Sequence, residues 1–262
     1  MELTEQHMTA NGQESKVALI TGASYGVGAE CALALARAGF RLAITATRVD
    51  NLSAVRDKLR ANGTEELSIE LDLRLQESIE QCVASVLARF GQIDVLVNNA
   101  AITLRRKAID VACDEWNDVI AANLSGTFFL TQQVGRHLIG GSAPGQIVTI
   151  VSTHAFVGTA ERSTYGISKA GLVQMTRMLA IEWAEHGITV NAVAPGRLMT
   201  ESPSRATTGA DAEYMEAMLK RIPLHRLATA EEVAGTVAFL VSPAARSITG
   251  QTIILDGGLT AA

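Results

Sequence analysis

The run Val17-Ala18-Leu19-Ile20-Thr21-Gly22-Ala23-Ser24-Tyr25-Gly26-Val27-Gly28, leading into the alanine-rich Ala29–Ala38, decides how this chain folds. A short, continuously apolar strand suits a sheet covered on both faces, and the glycines after it allow a sharp turn into a helix. Backbone without side chains can approach a pyrophosphate closely, and the positive end of a helix favours the anion. Any tight turn can hold an isolated glycine cluster. Here the cluster joins a first strand to a first helix, which points to dinucleotide binding through Gly22, Ser24, Tyr25, Gly26, Val27 and Gly28. The spacing Gly22-x-x-x-Gly26-x-Gly28 departs from the G-x-G-x-x-G fingerprint.

Outward from that turn the same alternation repeats. Apolar runs at Val17–Thr21, Leu42–Thr45, Leu67–Leu71, Val95–Asn98, Ile147–Val151, Ile188–Val193 and Thr252–Leu255 read as strands. Helical periodicity lies between them, near Gly26–Ala38, Leu52–Asn62, Gln76–Phe90, Asp114–Leu138, Thr164–His186 and Ala230–Val241. The pattern predicts an α/β, Rossmann-like fold: a doubly wound, seven-stranded parallel sheet flanked by helices in a three-layer sandwich. The 262 residues suit one catalytic domain over 16–262, after a polar, flexible N-terminal tail over 1–15 without signal-peptide character. Between Val193 and Thr252 the rhythm breaks, and residues 197–225, with Ser202–Gly209 and a helical stretch Ala210–Arg221, are expected to cover the substrate.

A net charge of −5 argues against nucleic acid or an anionic membrane as partner, since both need basic surface. No apolar run reaches membrane-spanning length. Cys31, Cys82 and Cys113 follow no metal-ligand spacing, and no metal site is visible. Cys31 and Cys82 lie in apolar helical patterns and read as small buried hydrophobes in a reducing, cytoplasmic compartment.

The strand ends carry the chemistry. After the second strand come Thr47 and Arg48, where an acidic residue would bind the adenosine ribose and repel a 2′-phosphate. A neutral and a basic residue favour NADP(H) over NAD(H), the blander alternative being that Arg48 is simply a solvated loop residue. Asp72, with Leu73, follows the third strand and is placed for the adenine edge; Asn98-Asn99-Ala100-Ala101 ends the fourth. Ser152 follows the fifth, and Tyr165-Gly166-Ile167-Ser168-Lys169 puts a phenol and an amine on one helical face. A tyrosine, with a pKa of about 10, works as acid/base near neutrality only if a shift of ~3 units is supplied, roughly 4 kcal/mol. An ammonium about 4–5 Å away at an effective dielectric near 20 supplies about that much, so Lys169 is the expected perturber, helped by an oxidised nicotinamide.

Taken together, Thr21–Gly28, Asp72, Asn98–Ala100, Asn123-Leu124-Ser125-Gly126, Ser152, Tyr165 to Lys169, Asn191, Pro195-Gly196 with Thr200, and Ile248-Thr249-Gly250-Gln251…Asp256-Gly257-Gly258 resemble the short-chain dehydrogenase/reductase family in its compact single-domain branch. The matches run in family order from residue 16 almost to the C-terminus. The resemblance implies hydride transfer between a nicotinamide and a small-molecule carbonyl or secondary alcohol. It makes Tyr165 the acid/base, Ser152 the hydrogen-bond partner of the reacting oxygen, Lys169 the group that lowers the tyrosine pKa and holds the nicotinamide ribose, and Asn123 the holder of a proton-relay water. Asn99, Ala100, Ala101, Pro195, Gly196, Leu198 and Thr200 join the cofactor residues, Leu198 and Thr200 at the nicotinamide amide. Ala101 stands where the family usually has glycine.

The resemblance also implies a homotetramer or homodimer packed through the helices of Asn123 and Tyr165. Leu172, Met175, Leu179 and Trp183 suggest an apolar face beyond what one sheet buries, or simply a face lying on the core. Arg105, Arg106, Arg162 and Arg197 fall in segments expected to meet at the site mouth, which hints at a sugar acid, polyol or other small hydroxy compound. Leu104-Arg105-Arg106 also looks like sugar-acid dehydrogenases of the family. A 3-oxoacyl-thioester reductase is the alternative substrate class, and a non-catalytic dinucleotide-sensing regulator the alternative of another kind. A regulator would have no reason to keep Ser152, Tyr165 and Lys169 together. His154 either touches substrate or packs at the pocket wall.

Overall fold

The strands form because short apolar runs can satisfy their backbone only by pairing with one another. In the computed structural model, which describes residues 15–198 and 216–261, they are β1 (Val17–Ile20), β2 (Arg41–Ala46), β3 (Glu66–Glu70), β4 (Val95–Asn98), β5 (Gln146–Ile150), β6 (Thr189–Pro195) and β7 (Thr252–Leu255). They build one seven-stranded sheet in the order β3-β2-β1-β4-β5-β6-β7, and every pairing is parallel. The order reverses at β1, which lies between β2 and β4. In such sheets ligands sit outside the carboxyl ends of the strands at that reversal.

Alternate side chains divide the core into two layers. Val17 and Leu19 of β1 pack with α3 (Gln76–Phe90), α5 (Gly126–Gly140) and α6 (Ser163–Glu182), through Ile79, Val86, Leu130, Val134, Leu172 and Leu179. Ala18 and Ile20 face α1 (Gly26–Arg37), α2 (Ser53–Ala61) and α7 (Ala230–Leu240), through Cys31, Leu35, Leu59, Val233 and Val237. Burial pushes the Cys31 and Cys82 thiols up to about 12, so both are inert core residues. Among the described residues no helix is long and apolar enough to cross a membrane.

The helix expected over Asp114–Leu138 is two helices. α4 (Cys113–Ile120) and α5 are joined by a π-helical turn, Ala121–Ser125, that contains Asn123. Such turns insert one residue into a helix and recur at functional sites. Gly126, just after it, lies so close to the Leu73 carbonyl that a Cβ would meet that oxygen at 2.0 Å. The interruption thus lies where the helix passes beneath the β3–α3 loop.

The apolar face expected to be surplus on α6 is not surplus. Leu172, Met175 and Leu179 belong to the chain's own core, and Trp183 packs against it, over Gly135. Heptad-like spacing puts these residues on one face, and that face is the one lying on the sheet. The exposed apolar residues of α6 are Ile167, Met178 and Ile181 instead, with Phe128 and Phe129 exposed on α5. The expected tail is, apart from Ser15, outside the described residues; the Ser15 carbonyl accepts from Arg41 Nε at 3.0 Å. Most of the expected covering segment, Thr200 included, also lies outside them, and residues 216–221 are helical.

Two glycines make a matched test of this packing. Gly126→Ala must displace backbone, a cost of about 1–3 kcal/mol for overpacking, which for a chain of this length lowers Tm by about 3–10 °C. Gly235, in α7, has open space where its Cβ would be, so Gly235→Ala is expected to raise Tm slightly, by the ~0.5–1 kcal/mol of helix propensity. Thermal denaturation of both variants checks the opposite signs.

Candidate active site

The glycine turn is fastened to the end of β4. Thr21 Oγ1 accepts from the backbone N–H groups of Asn99 (2.9 Å) and Ala100 (3.0 Å), and Asn99 Nδ2 donates to the carbonyls of Thr21 and Gly22, both at 2.9 Å. Gly22 has a left-handed φ of 65°. A Cβ on Gly28 would lie 2.3 Å from the Gly22 carbonyl oxygen and 2.5 Å from Asn99 Nδ2, so no other residue fits. Tyr25 precedes α1 without capping it and is 66% exposed, and the first turn of α1 holds no acidic residue. Uncapped first-turn amides beside side-chain-free backbone fit a pyrophosphate. Ser24 and Val27 are half-buried in the same turn.

Around this turn the other strand ends are placed as follows. Thr47 and Arg48 are exposed after β2. Asp72, after β3, is gripped by Arg74 (Nη2–Oδ2 2.7 Å), which also reaches Asp118 of α4 at 3.1 Å. The Arg74 hydrogen bonds hold the Asp72 carboxyl below the usual carboxylate range despite partial burial. Ala101 has no left-handed φ, so alanine replaces glycine there without backbone strain. Gly196 packs against the Asp256 side chain, where a Cβ would come within 2.9 Å, and its N–H donates to the Leu255 carbonyl. Leu198 forms an isolated parallel bridge to Ala228.

At the centre, Ser152, Tyr165 and Lys169 line one cavity of about 190 Å³ together with Val27, Asn99, Ala101, Ile150, Val151, Pro195, Gly196 and Leu198. A larger hollow of about 730 Å³, between α6 and β7, contains none of these three residues. Its size carries no chemistry. Ile150 and Val151 are pocket residues that the sequence reading passed over, though both directly precede Ser152. Ser168, also passed over, donates to the Tyr165 carbonyl at 2.7 Å and accepts from Asn123 Nδ2 at 3.1 Å. Asn123 exchanges two further hydrogen bonds with the Ile102 backbone, at 2.8 and 2.9 Å. Both protons of its amide nitrogen and one lone pair of its oxygen thereby hold the loop after β4 against α6.

The electrostatics differ from the expectation in one respect. Lys169 Nζ donates to the Ile150 carbonyl at 2.8 Å and lies 5.7 Å from the centre of the Tyr165 ring. Burial lowers its pKa to about 8. Burial also holds the Tyr165 phenol above its ordinary value, outweighing the hydrogen bond with Ser152 and the Arg162 charge, which pull it down. Within the protein alone, then, the phenol is held up rather than brought down toward neutrality. The reason is that desolvation acts on both groups and pushes each toward its neutral form.

The arginines converge only in part. Arg105 is paired with Glu161 at 2.8 Å and Arg106 with Glu115 at 2.5 Å, so neither presents a bare charge to the site. Arg162 stands at the N-terminus of α6, and its charge is felt at both Tyr165 and His154. Arg197 is exposed after Gly196. His154 touches the centre directly: its Nδ1 is 3.0 Å from Ser152 Oγ, and its ring meets Tyr165 edge to face at 5.8 Å.

The sequence model of the family described as Enoyl-(Acyl carrier protein) reductase matches residues 22–260. A 3-oxoacyl-[acyl-carrier-protein] reductase of Escherichia coli K12 is 39% identical, covering 94% of this chain and 98% of its own. A 2-dehydro-3-deoxy-D-gluconate 5-dehydrogenase of the same organism is 35% identical, covering 96% and 98%. Among solved structures, a short-chain type dehydrogenase/reductase from Mycobacterium marinum superposes with a TM-score of 0.88 at 33% identity, covering 94% of this chain and 96% of that one. A glycine turn fitted to a pyrophosphate, a serine, tyrosine and lysine around one cavity, and these likenesses over nearly the whole length agree: the chain belongs to the short-chain dehydrogenase/reductase family and is a hydride-transferring oxidoreductase of carbonyl and alcohol groups.

Proposed function

We propose that this enzyme prefers NADP(H) and interconverts a small hydroxy compound, a sugar acid or polyol, with its keto form, using Tyr165 as acid/base. The observation that carries the reading is the single cavity lined by Ser152, Tyr165 and Lys169 beside Val27, Asn99 and Gly196. The glycine turn would hold the pyrophosphate, Asp72 and Leu73 the adenosine side, and Lys169, Pro195, Gly196, Leu198 and Thr200 the nicotinamide end. The nicotinamide supplies or accepts the hydride. Tyr165 gives its proton to the carbonyl oxygen in reduction and takes one from the alcohol in oxidation, while Ser152 donates a hydrogen bond to that oxygen. With the Asn123 side chain engaged, the relay water falls to its main chain in the π-helical turn.

NADP(H) preference is supported by exposed Thr47 and Arg48 after β2, where no carboxylate would repel a 2′-phosphate. The sugar-acid reading is supported by the 2-dehydro-3-deoxy-D-gluconate relative and by the Arg162 charge at Tyr165. Arg105 and Arg106 add little to it, since each is paired with a carboxylate. A 3-oxoacyl-thioester substrate is supported by the acyl-carrier-protein reductase relatives and by Phe156 and Val157, each 42% exposed shortly after Ser152. A cytoplasmic dimer or tetramer would cover exposed Phe128, Phe129, Ile167 and Met178 on α5 and α6.

A panel of sugar acids, polyols, ketones and acetoacetyl thioesters, followed by NADPH and NADH absorbance, decides between the substrate classes. For any compound turned over, Tyr165→Phe is expected to lower kcat by about 10²–10⁴-fold; unchanged turnover with intact cofactor binding would remove Tyr165 as the acid/base. Arg48→Ala is expected to raise the KM for NADPH about tenfold, the weight of a charge-assisted hydrogen bond, with little effect on NADH. A wild-type preference for NADH would overturn the cofactor assignment. The lowered Lys169 pKa has a stability consequence. Because the unfolded chain holds that proton more tightly, stability from this group rises as pH climbs from about 8 toward 10.5 and is least below pH 8. Lys169→Met is therefore expected to melt above wild type at neutral pH, with the gap closing toward the alkaline end, as measured by thermal denaturation across that range.

A further inference from the structure

We infer that His154 is a positioning residue: its Nδ1–H donates to Ser152 Oγ and turns the serine's single hydroxyl proton outward, toward the oxygen that reacts. This rests on the assignment of Ser152 and Tyr165 to the reacting centre. A serine hydroxyl has one proton and two lone pairs. One lone pair of Ser152 is already taken by the backbone N–H of His154, at 3.2 Å. The second close neighbour is His154 Nδ1, at 3.0 Å, and the third is the Tyr165 phenol. If Nδ1 carries a proton, both lone pairs are filled and the hydroxyl proton can only point to the phenol and the oxygen beside it. If Nδ1 is bare, it takes that proton, and Ser152 offers the reacting oxygen a lone pair. The transition state of hydride transfer has alkoxide character at this oxygen in either direction, and only a donor stabilises it.

The imidazole is built to hold this role. Ser152 caps the short turn Thr153–Ala155 that carries it, so the histidine backbone and ring bind the same hydroxyl. The ring is braced edge to face on Tyr165 at 5.8 Å. The first turn of α6 closes on the His154 carbonyl, where a Cβ on Gly166 would come to 3.0 Å. Burial and then the Arg162 charge favour the neutral ring, which has one N–H to place.

The tautomer can be read without any substrate. In the full-length protein with NADP⁺ bound and ¹⁵N-labelled histidine, the Nδ1 resonance of His154, assigned by its loss in His154→Asn, is expected to be that of a protonated nitrogen. A protonated Nε2 with a bare Nδ1 overturns the proposal. On whichever panel compound is turned over, His154→Phe keeps the aromatic brace but loses the donor. It is expected to lower kcat about tenfold, one ordinary hydrogen bond, with KM within about twofold. His154→Asn, whose amide N–H can take the Nδ1 position, is expected to recover most of that loss, which a purely packing role would not produce. A wild-type kcat in His154→Phe also overturns the proposal. If no panel compound is turned over, the proposed function fails, and the nitrogen resonance still decides His154.

Discussion

Thr21 stands where the strand order reverses, and the site depends on what its side chain and carbonyl hold together. Its hydroxyl oxygen gathers two backbone N–H groups from the end of β4, and its carbonyl shares the Asn99 amide with Gly22. These bonds join two parallel strand ends that would otherwise splay into loops. From there the backbone leads on to Ile102, and hydrogen bonds run from Ile102 to Asn123, on to Ser168, and so to the backbone of Tyr165. The turn suited to a pyrophosphate and the helix bearing Tyr165 are thereby fixed relative to each other. Hydride transfer needs that fixity, since reacting groups must be held near contact distance and alignment.

Burial sets the chemical character of the centre. It lowers the amine of Lys169 and raises the phenol of Tyr165, so each group on its own is pushed toward neutrality. Groups in this condition respond strongly to charge brought beside them, because little solvent screens it. Arg162 already acts on Tyr165 and His154 in this way, whereas Arg105 and Arg106 spend their charges on Glu161 and Glu115. The site is therefore less cationic than its arginine content suggests. The uncharged His154–Ser152 contact then matters for direction as much as for strength.

Much of the fold was legible because its signals are local. Strand limits expected from apolar runs agree with the observed ones to within a residue or two, as Leu42–Thr45 against Arg41–Ala46 illustrates. The glycine turn, Ser152 and the Tyr165–Lys169 pair were also readable, because their chemistry demands particular residue types at fixed spacing or at a strand end. The interruption of the long helix at Ala121–Ser125 was not, because it accompanies the approach of Gly126 to Leu73, far away in sequence. Nor did periodicity tell which way α6 faces: it groups Leu172, Met175 and Leu179 without saying that the sheet lies beneath them.

The sequence by itself determined the alternation of strand and helix, the parallel sheet and which residues, Ser152, Tyr165 and Lys169, to propose as reacting groups. Each of these follows from the conformational limits of glycine, the continuity of apolar runs and the proton chemistry of a phenol beside an amine. Tertiary structure alone decided that Arg105 and Arg106 pair with Glu161 and Glu115, that burial works on the phenol, and that a histidine would share the serine's hydroxyl. Those outcomes depend on desolvation and on partners such as Glu161, which lies 56 residues from Arg105. Such distances vanish only when the chain is folded.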